Sequence, residues 1–361
     1  MRKKNPRAIQ TLLLANPAFE EALSAELRQE KRRGRALAPG VIACDTERVP
    51  DFCFARQLLP AARFVQADGP SVFCDAALAT LAADDAHELY AGRALVSVFA
   101  PDFFRKGSGP LGKHPLEPMV VTVRDILDKK IIGRARKNDI AREGGAPRLH
   151  FQVLLTGANE GWVSLAPVEP GENAFLSWPV PFCAGRAPLL ERKEAPSSAY
   201  KKVEEAFAWL HQTPGESDVV LDLGAAPGGW TCVALAYGAR VIAFDRADMA
   251  PELASHPRLT HLRKDAFEHA PLQEASWLLC DVIDLPHKSL DLIARAIEAP
   301  RLVGLVVTIK LKRPVDAAVL RDARALCAQA KGFVGRAKNL CHNKCEITVM
   351  MHRTARESTL S

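Results

Sequence analysis

At 361 residues, the chain exceeds what a single hydrophobic core organises, and two or three domains are expected. With 48% hydrophobic and 25% charged residues it is neither a disordered chain nor a low-complexity one, and no apolar run reaches the length of a membrane span. The net charge of +6 is mild but clustered.

The basic N-terminus carries only a short apolar run, which leads into an acidic amphipathic segment without a small-residue cleavage site. It reads as mature sequence of a cytoplasmic protein. Residues 8 to 15 predict a strand; Asn16 then offers an N-cap and Pro17 a first helical residue. Phe19, Ala22, Leu23 and Leu27 would form the apolar face of the following helix. A strand over 41 to 45, a helix from about Asp75 to Leu89 and a strand from Ala94 to Ala100 continue an α+β pattern. A long helix, Val123 to Asn138, is expected to turn Ile126, Leu127, Ile131 and Ile132 inward and its basic residues outward. Two strands, from Leu149 and from Gly161, close this half, in which helices alternate with antiparallel-looking strands. It contains no phosphate-binding turn and reads as a binding module.

Prolines at 167, 170, 179, 181, 188 and 196 mark a linker, because proline interrupts helices and central strands. The chain therefore divides into residues 1–70, 71–170, a proline-rich linker 171–196, and 197–361. In the last segment, a helix from about Ser198 to Gln212 precedes strands near Val219 to Leu223, Arg240 to Asp245, Leu259 to Leu262, Trp277 to Asp281 and Leu302 to Ile309. A helix from about Val315 to Ala330 and two final strands, FVGRAKNL and CEITVMMH, follow. This alternation predicts a doubly wound parallel sheet with an antiparallel hairpin at one side.

The organising stretch is VVLDLGAAPGGWT, Val219 to Thr231: a buried strand collapsing into a glycine turn that feeds a helix. Gly224, Gly228 and Gly229 are expected to clear side chains from a ligand's path, with Asp222 near the strand end, where open α/β sheets bind ligands. Asp245, placed to accept from both hydroxyls of a ribose, ends the next strand. Asp265, placed for an adenine amino group, follows the third, and Asp281 ends the fourth. A crevice lined by carboxylates, with no basic residue in its turn, suits the cationic donor S-adenosylmethionine better than a dinucleotide.

Lys202, Asp281, Lys310 and Glu346 form a K–D–K–E set suited to methyl transfer onto a ribose hydroxyl, whose oxygen must lose its proton. Lys310 is the expected general base, its pKa lowered by burial and by the Lys202 ammonium, with Asp281 and Glu346 holding the amines in place. Basic clusters at Lys31, Arg32, Arg33 and Arg35, from Lys129 to Lys137, at Arg192, Lys193, Lys201 and Lys202, and at Lys310, Lys312 and Arg313 point to an RNA partner. Aromatics at 6% argue against a single-strand stacking platform. Nine cysteines, an odd number, do not make a disulfide framework. The Cys341, His342, Cys345 group lacks a second pair, so no metal is expected.

Through SSAYKKVEEAF, LDLGAAPGGWT, CDVID, TIKLK and CEITV, the second half resembles the FtsJ-type ribose 2′-O-methyltransferases. Across its length, LLLANPAFEEALSAEL, FARQLLPAARFV and the HFQVLLTG…GWVSLA pair are similar to the bacterial large-subunit rRNA 2′-O-methyltransferase family RlmM. The resemblance implies an α/β, Rossmann-like class I methyltransferase domain preceded by an α+β ferredoxin-like and THUMP RNA-binding region. It also implies S-adenosylmethionine as donor, and a cytidine ribose of 23S rRNA, free or in a large-subunit assembly precursor, as acceptor. A monomer without metal or membrane partner is the accompanying expectation. Donor contacts carry over to Ala226, Pro227, Gly228, Gly229, Asp245, Asp265 and Asp281, joined by Trp230, and the proton acceptor to Lys310. A family serine falls on Ala199, so its contact is lost or moved to Ser198. The alternatives are methylation of tRNA or another RNA, and a non-catalytic ribosome-assembly protein.

Overall fold

The computed structural model describes residues 10–44, 50–101, 115–142, 146–168, 182–265, 267, 270–312 and 316–354. The chain divides into two units, Met1–Arg186 and Ala187–Ser361. The first contains β1 (Gln10–Leu14), α1 (Glu20–Gln29), β2 (Gly34–Ala38), β3 (Val41–Cys44), β4 (Gln57–Gln66), α2 (Pro70–Leu78), α3 (Ala83–Tyr90), β5 (Ala94–Phe99), α4 (Glu117–Lys137), β6 (Leu149–Gly157) and β7 (Glu160–Pro167). Asn16 caps a 3₁₀ turn with Pro17 at its start, its Oδ1 accepting from Ala18 N at 3.0 Å. The α1 face Ala22, Leu23 and Leu27 is buried as the periodicity predicts.

The strands of this unit form one sheet in the order β2-β3-β1-β4-β7-β6-β5, which continues across residue 70 through β4 and β7. One apolar cluster likewise joins Leu12, Leu14 and Leu59 to Phe99, Leu154 and Trp162. Three local expectations need correction. Strand β5 runs parallel to β6, not antiparallel. The single helix expected from Asp75 to Leu89 is two, because α2 begins earlier, at Pro70, and ends where the Thr80 hydroxyl donates to Ala77 O at 2.7 Å, competing with the helix ladder. In α4 the buried stripe is Val123, Leu127, Ile131 and Ala135, a strict i, i+4 row that leaves Ile132 exposed. Two of its cations also turn onto neighbours: Lys130 and Arg134 both bind Asp75, at 2.7 and 2.9 Å.

Of residues 171–196, those from 171 to 181 lie outside the described residues. Phe182 packs within the first unit, its carbonyl accepting from Gln57 Nε2 at 2.9 Å.

The second unit runs α5 (Tyr200–Leu210), β8 (Val219–Leu223), α6 (Gly229–Ala236), β9 (Arg240–Phe244), α7 (Pro251–Ala254), β10 (Leu259–Leu262), β11 (Trp277–Cys280), α8 (Pro286–Ile297), β12 (Gly304–Lys310), α9 (Ala317–Gln329), β13 (Phe333–Lys338) and β14 (Glu346–Arg353). The sheet order is β10-β9-β8-β11-β12-β14-β13. Strands β10 to β12 pair in parallel, while β14 runs antiparallel between β12 and β13. The expected Rossmann-like α/β sheet with a terminal hairpin is the sheet observed. Its central strands are predominantly apolar, as parallel strands buried in a sheet are. Two consequences matter for the site. The carboxyl ends of β8, β9, β10 and β11 lie along one edge, and the antiparallel register sets Glu346, the first residue of β14, directly opposite Lys310, the last of β12.

Candidate active site

The turn between β8 and α6 is built from glycine for reasons internal to the protein. Gly224 and Gly228 have φ of +77° and +115°, where a Cβ is strained. A Cβ on Gly224 would also lie 2.8 Å from Val282 Cγ2, and one on Gly228 or Gly229 would collide with Leu253 or with the Ser197 hydroxyl. A Cβ at any of the three would therefore meet the protein's own atoms, so internal packing by itself already requires glycine there. The Ala226–Pro227 peptide in this turn is cis.

Asp245, just past β9, fastens the turn: its Oδ2 accepts from Ala226 N at 3.0 Å and its Oδ1 from Ala247 N at 2.9 Å. Carboxylate oxygens have further lone pairs, so it retains capacity for hydroxyl donors. Asp265 pairs with the Arg246 guanidinium at 2.7 Å and accepts from Phe267 N at 3.0 Å. Trp230 is buried, its indole N–H donating to Ala199 O at 2.9 Å; both residues brace the start of α5 against α6 through this bond. Ser198 is exposed, and the serine beside the turn is Ser197.

Asp222 does not reach the crevice. It is 1% exposed and receives the Thr231 hydroxyl at 2.6 Å. Burial pushes its carboxyl up to about 7, opposed by the Thr231 hydrogen bond and aided by the Asp281 and Asp245 charges. An acid with a raised folded-state pKa contributes stability that is full below the unfolded value near pH 4 and is lost as pH rises through 7. Asp222→Asn keeps an oxygen for Thr231 and escapes this loss, a difference on the order of 2–4 kcal/mol. Thermal melts should place the variant about 5–10 °C above the parent at pH 8 and near it at pH 4. A gain equal at both pH values would show that ionisation is not its source.

The four charged residues meet as a closed ring. Lys202 Nζ, from the first turns of α5, lies 3.0 Å from Asp281 Oδ2 and 2.7 Å from Glu346 Oε1. Lys310 Nζ binds the other oxygen of each, Asp281 Oδ1 at 2.5 Å and Glu346 Oε2. Thr308 adds a hydroxyl to Asp281 Oδ1 at 2.6 Å. Glu346 is buried and the two lysines are partly so.

The electrostatics of Lys310 differ from expectation. Burial presses its pKa down, but the Asp281 and Glu346 carboxylates outweigh burial and hold it above the ordinary lysine value. Both carboxylates are in direct hydrogen-bond contact with Lys310, so attraction governs over repulsion from the Lys202 ammonium. Asp281 and Glu346 in turn are opposed by burial, yet both are held below the usual carboxylate range by the two lysines.

Three polar residues that the motif reading passed over surround Glu346. Glu205 accepts from the backbone N–H groups of Cys341 and His342 at 2.8 and 3.1 Å. Asn339 Nδ2 donates to the Glu346 carbonyl at 2.8 Å, and Asn343 Nδ2 to its Oε1 at 3.3 Å. The sequence signal was there: an internal acid in EEAF and two asparagines in NLCHNKCE. Among the described residues no cluster suits a metal ion; Cys345 Sγ instead faces Leu311 O at 3.4 Å.

The crevice thus presents the carboxylates Asp245, Asp265 and Asp281 beside a turn, Gly224–Gly229, without a basic side chain. That donor set fits a cationic ligand bearing a ribose and does not fit pyrophosphate.

Comparison with known proteins bears on this geometry. The FtsJ-like methyltransferase family model matches residues 197–347. A ribosomal RNA large subunit methyltransferase M from Alkalilimnicola ehrlichii is 29% identical, with 96% of each chain aligned. One of the same name from Xylella fastidiosa is 35% identical over 58% of this chain and 59% of its own. Among solved structures, TrmN from Thermus thermophilus aligns with 96% of this chain and all of its own at 18% identity, with a TM-score of 0.35.

Proposed function

Because the chain is similar over nearly its whole length to a ribosomal RNA large subunit methyltransferase M and its residues 197–347 match the FtsJ-like methyltransferase family model, we propose that it transfers a methyl group from S-adenosylmethionine to a ribose 2′-hydroxyl of 23S rRNA, with a cytidine of the peptidyl-transferase region as acceptor. The closed Lys202–Asp281–Lys310–Glu346 ring beside the donor turn carries this reading. A base held by two carboxylates suits an acceptor that must lose a proton.

S-adenosylmethionine, when bound, supplies an electrophilic methyl group on a sulfonium. Asp245 and Asp265 would hold its ribose and adenine, and the backbone of Ala226 to Gly229 its amino-acid end. Lys310 accepts the proton of the 2′-hydroxyl at Nζ as the oxygen takes the methyl group, and the departing thioether is neutral. A cationic donor held near Asp281 would disfavour a second ammonium beside it and so favour the neutral Lys310 amine that a base requires. Lys202 keeps the two carboxylates in place while this happens.

The first unit serves as the RNA-capturing region in this proposal, divided into a ferredoxin-like module over 1–70 and a THUMP-like one over 71–170. The exposed Lys129, Arg136 and Lys137 of α4 support it, since clustered cations bind phosphates without reading sequence. The protein acts in the cytoplasm as a monomer, on free rRNA or an assembling particle. Among the described residues, no helix is long and apolar enough to cross a membrane.

Labelled methyl transfer to transcribed 23S rRNA and to tRNA, followed by mapping of the modified nucleotide, tests the proposal. The expected product is one 2′-O-methylated nucleotide in 23S rRNA. Label in tRNA alone would replace the substrate, and RNA binding without any transfer or donor binding would leave an assembly factor.

A further inference from the structure

Glu346 is the most buried member of the ring. It opens β14, straight after the 339–345 turn, so its carboxylate can bridge the lysines only if that turn is held still. The turn is fastened twice. Asn343, 6% exposed, accepts at Oδ1 from Leu340 N at 2.8 Å and from the Thr348 hydroxyl at 3.1 Å, and donates from Nδ2 to Glu346 Oε1. Glu205, 1% exposed, clamps the turn from outside through the N–H groups of Cys341 and His342. Residues three apart lie on one helix face, so α5 presents Lys202 to the Glu346 carboxylate and Glu205 to the turn behind it.

We propose that Glu205 and Asn343 are positioning residues for the reaction: through the 339–345 turn they hold the Glu346 carboxylate across both lysines, with Glu205 referencing it to the helix that carries Lys202. Neither residue touches a reacting atom in this arrangement. A carboxylate buried against two backbone N–H groups is costly to place without such a purpose, since removal of either partner strands a buried polar group. The inference rests on Lys310 being the base.

Its test follows the charge on Lys310. The charged or titratable groups facing that amine are Asp281 and the Cys280 thiol from the β11 end, Glu346 from β14, Lys202 across the ring, and Asp222 behind Asp281. If the turn loosens, Lys310 keeps Asp281 but loses Glu346, so its pKa falls and the rising limb of the rate against pH moves to lower pH.

Asn343→Ala, Glu205→Ala and Glu205→Gln are compared with the parent by three measurements. These are ¹⁵N NMR titration of the Lys310 side chain (assigned by its loss in Lys310→Ala), calorimetric binding of S-adenosylhomocysteine, and single-turnover transfer. We expect Lys310 to titrate about one unit lower in Asn343→Ala and transfer to fall roughly 10- to 100-fold, with S-adenosylhomocysteine affinity retained. Glu205→Gln keeps one acceptor oxygen and should shift less than Glu205→Ala; it also decides the matter if an alanine variant does not fold. A lower melting temperature with an unmoved Lys310 titration would overturn the proposal and leave a purely structural turn. If Lys310 shifts as stated but the parent methylates no RNA, the positioning device stands and the reaction under Proposed function fails.

Discussion

Lys310→Ala should lower single-turnover methyl transfer to 23S rRNA by about 10²- to 10⁴-fold, the range lost when a positioned acid–base group is removed. The geometry makes the loss one of chemistry. Of the proposed donor contacts, residues 226 to 229, Asp245 and Asp265 make no ion pair with Lys310 among the described residues, and Asp281, which does, keeps Lys202 after the substitution. Lys202 still spans Asp281 and Glu346 after the substitution, so both carboxylates keep a cation. S-adenosylhomocysteine binding by calorimetry should therefore hold while the rate collapses. In the parent, the carboxylates hold the base above its ordinary pKa, so activity should climb with pH, and Lys310→Ala should abolish that climb. Parent-level transfer by the variant would remove Lys310 from the mechanism.

Glu346→Ala has the largest expected effect on stability. It leaves two ammoniums facing the single carboxylate of Asp281, in a region where Glu346 itself is 3% exposed. Breaking a buried ion pair from one side costs about 3–5 kcal/mol, which for a domain of this size lowers the melting temperature by about 10 °C. The pH dependence identifies the cause. Against the opposing effect of burial, hydrogen bonds and charge from Lys202 and Lys310 lower the Glu346 pKa. Its ionic contribution is therefore fully present above the unfolded carboxylate value near pH 4.3 and is lost as pH falls through the lowered folded value. Calorimetric melts at pH 7 and in the most acidic buffer that still leaves the parent folded should show the gap between variant and parent narrowing toward acid. A gap that stays constant would mean lost packing, not lost charge, is responsible.

The two substitutions separate what is shared in the ring. On the proposed reaction, Lys310 serves proton transfer and Glu346 the frame in which that transfer happens. A double variant should be less than additive in rate, because Glu346 acts on the reaction through Lys310.

The strand, glycine turn and helix from Val219 to Ala236 were legible in the sequence because their causes are local: an apolar run, positive-φ positions and a helix-forming segment all lie within a few residues. The types and order of the ring residues were legible too, as motif positions at strand ends. The helix break after Leu78 and the inward stripe of α4 were not. Their boundaries depend on which neighbouring helix face is available, as Asp75 shows by drawing Lys130 and Arg134 inward.

By itself, then, the sequence determined the Rossmann-like order of elements and the residue types from which the proposed chemistry is drawn. Only the tertiary structure decided how those residues act on one another. Lys310 and Glu346 are 36 positions apart, and the antiparallel pairing of β14 with β12 sets them face to face. That contact reverses the expected direction of the Lys310 pKa, because two carboxylates in direct contact outweigh a lysine reached only through them. The same holds for Gly224, Gly228 and Gly229. Their backbone shape is a local matter, but the reason no side chain fits is Val282, Leu253 and Ser197, which the folded chain brings from elsewhere. Electrostatic sign and steric room depend on distance in space, and the order of residues fixes neither.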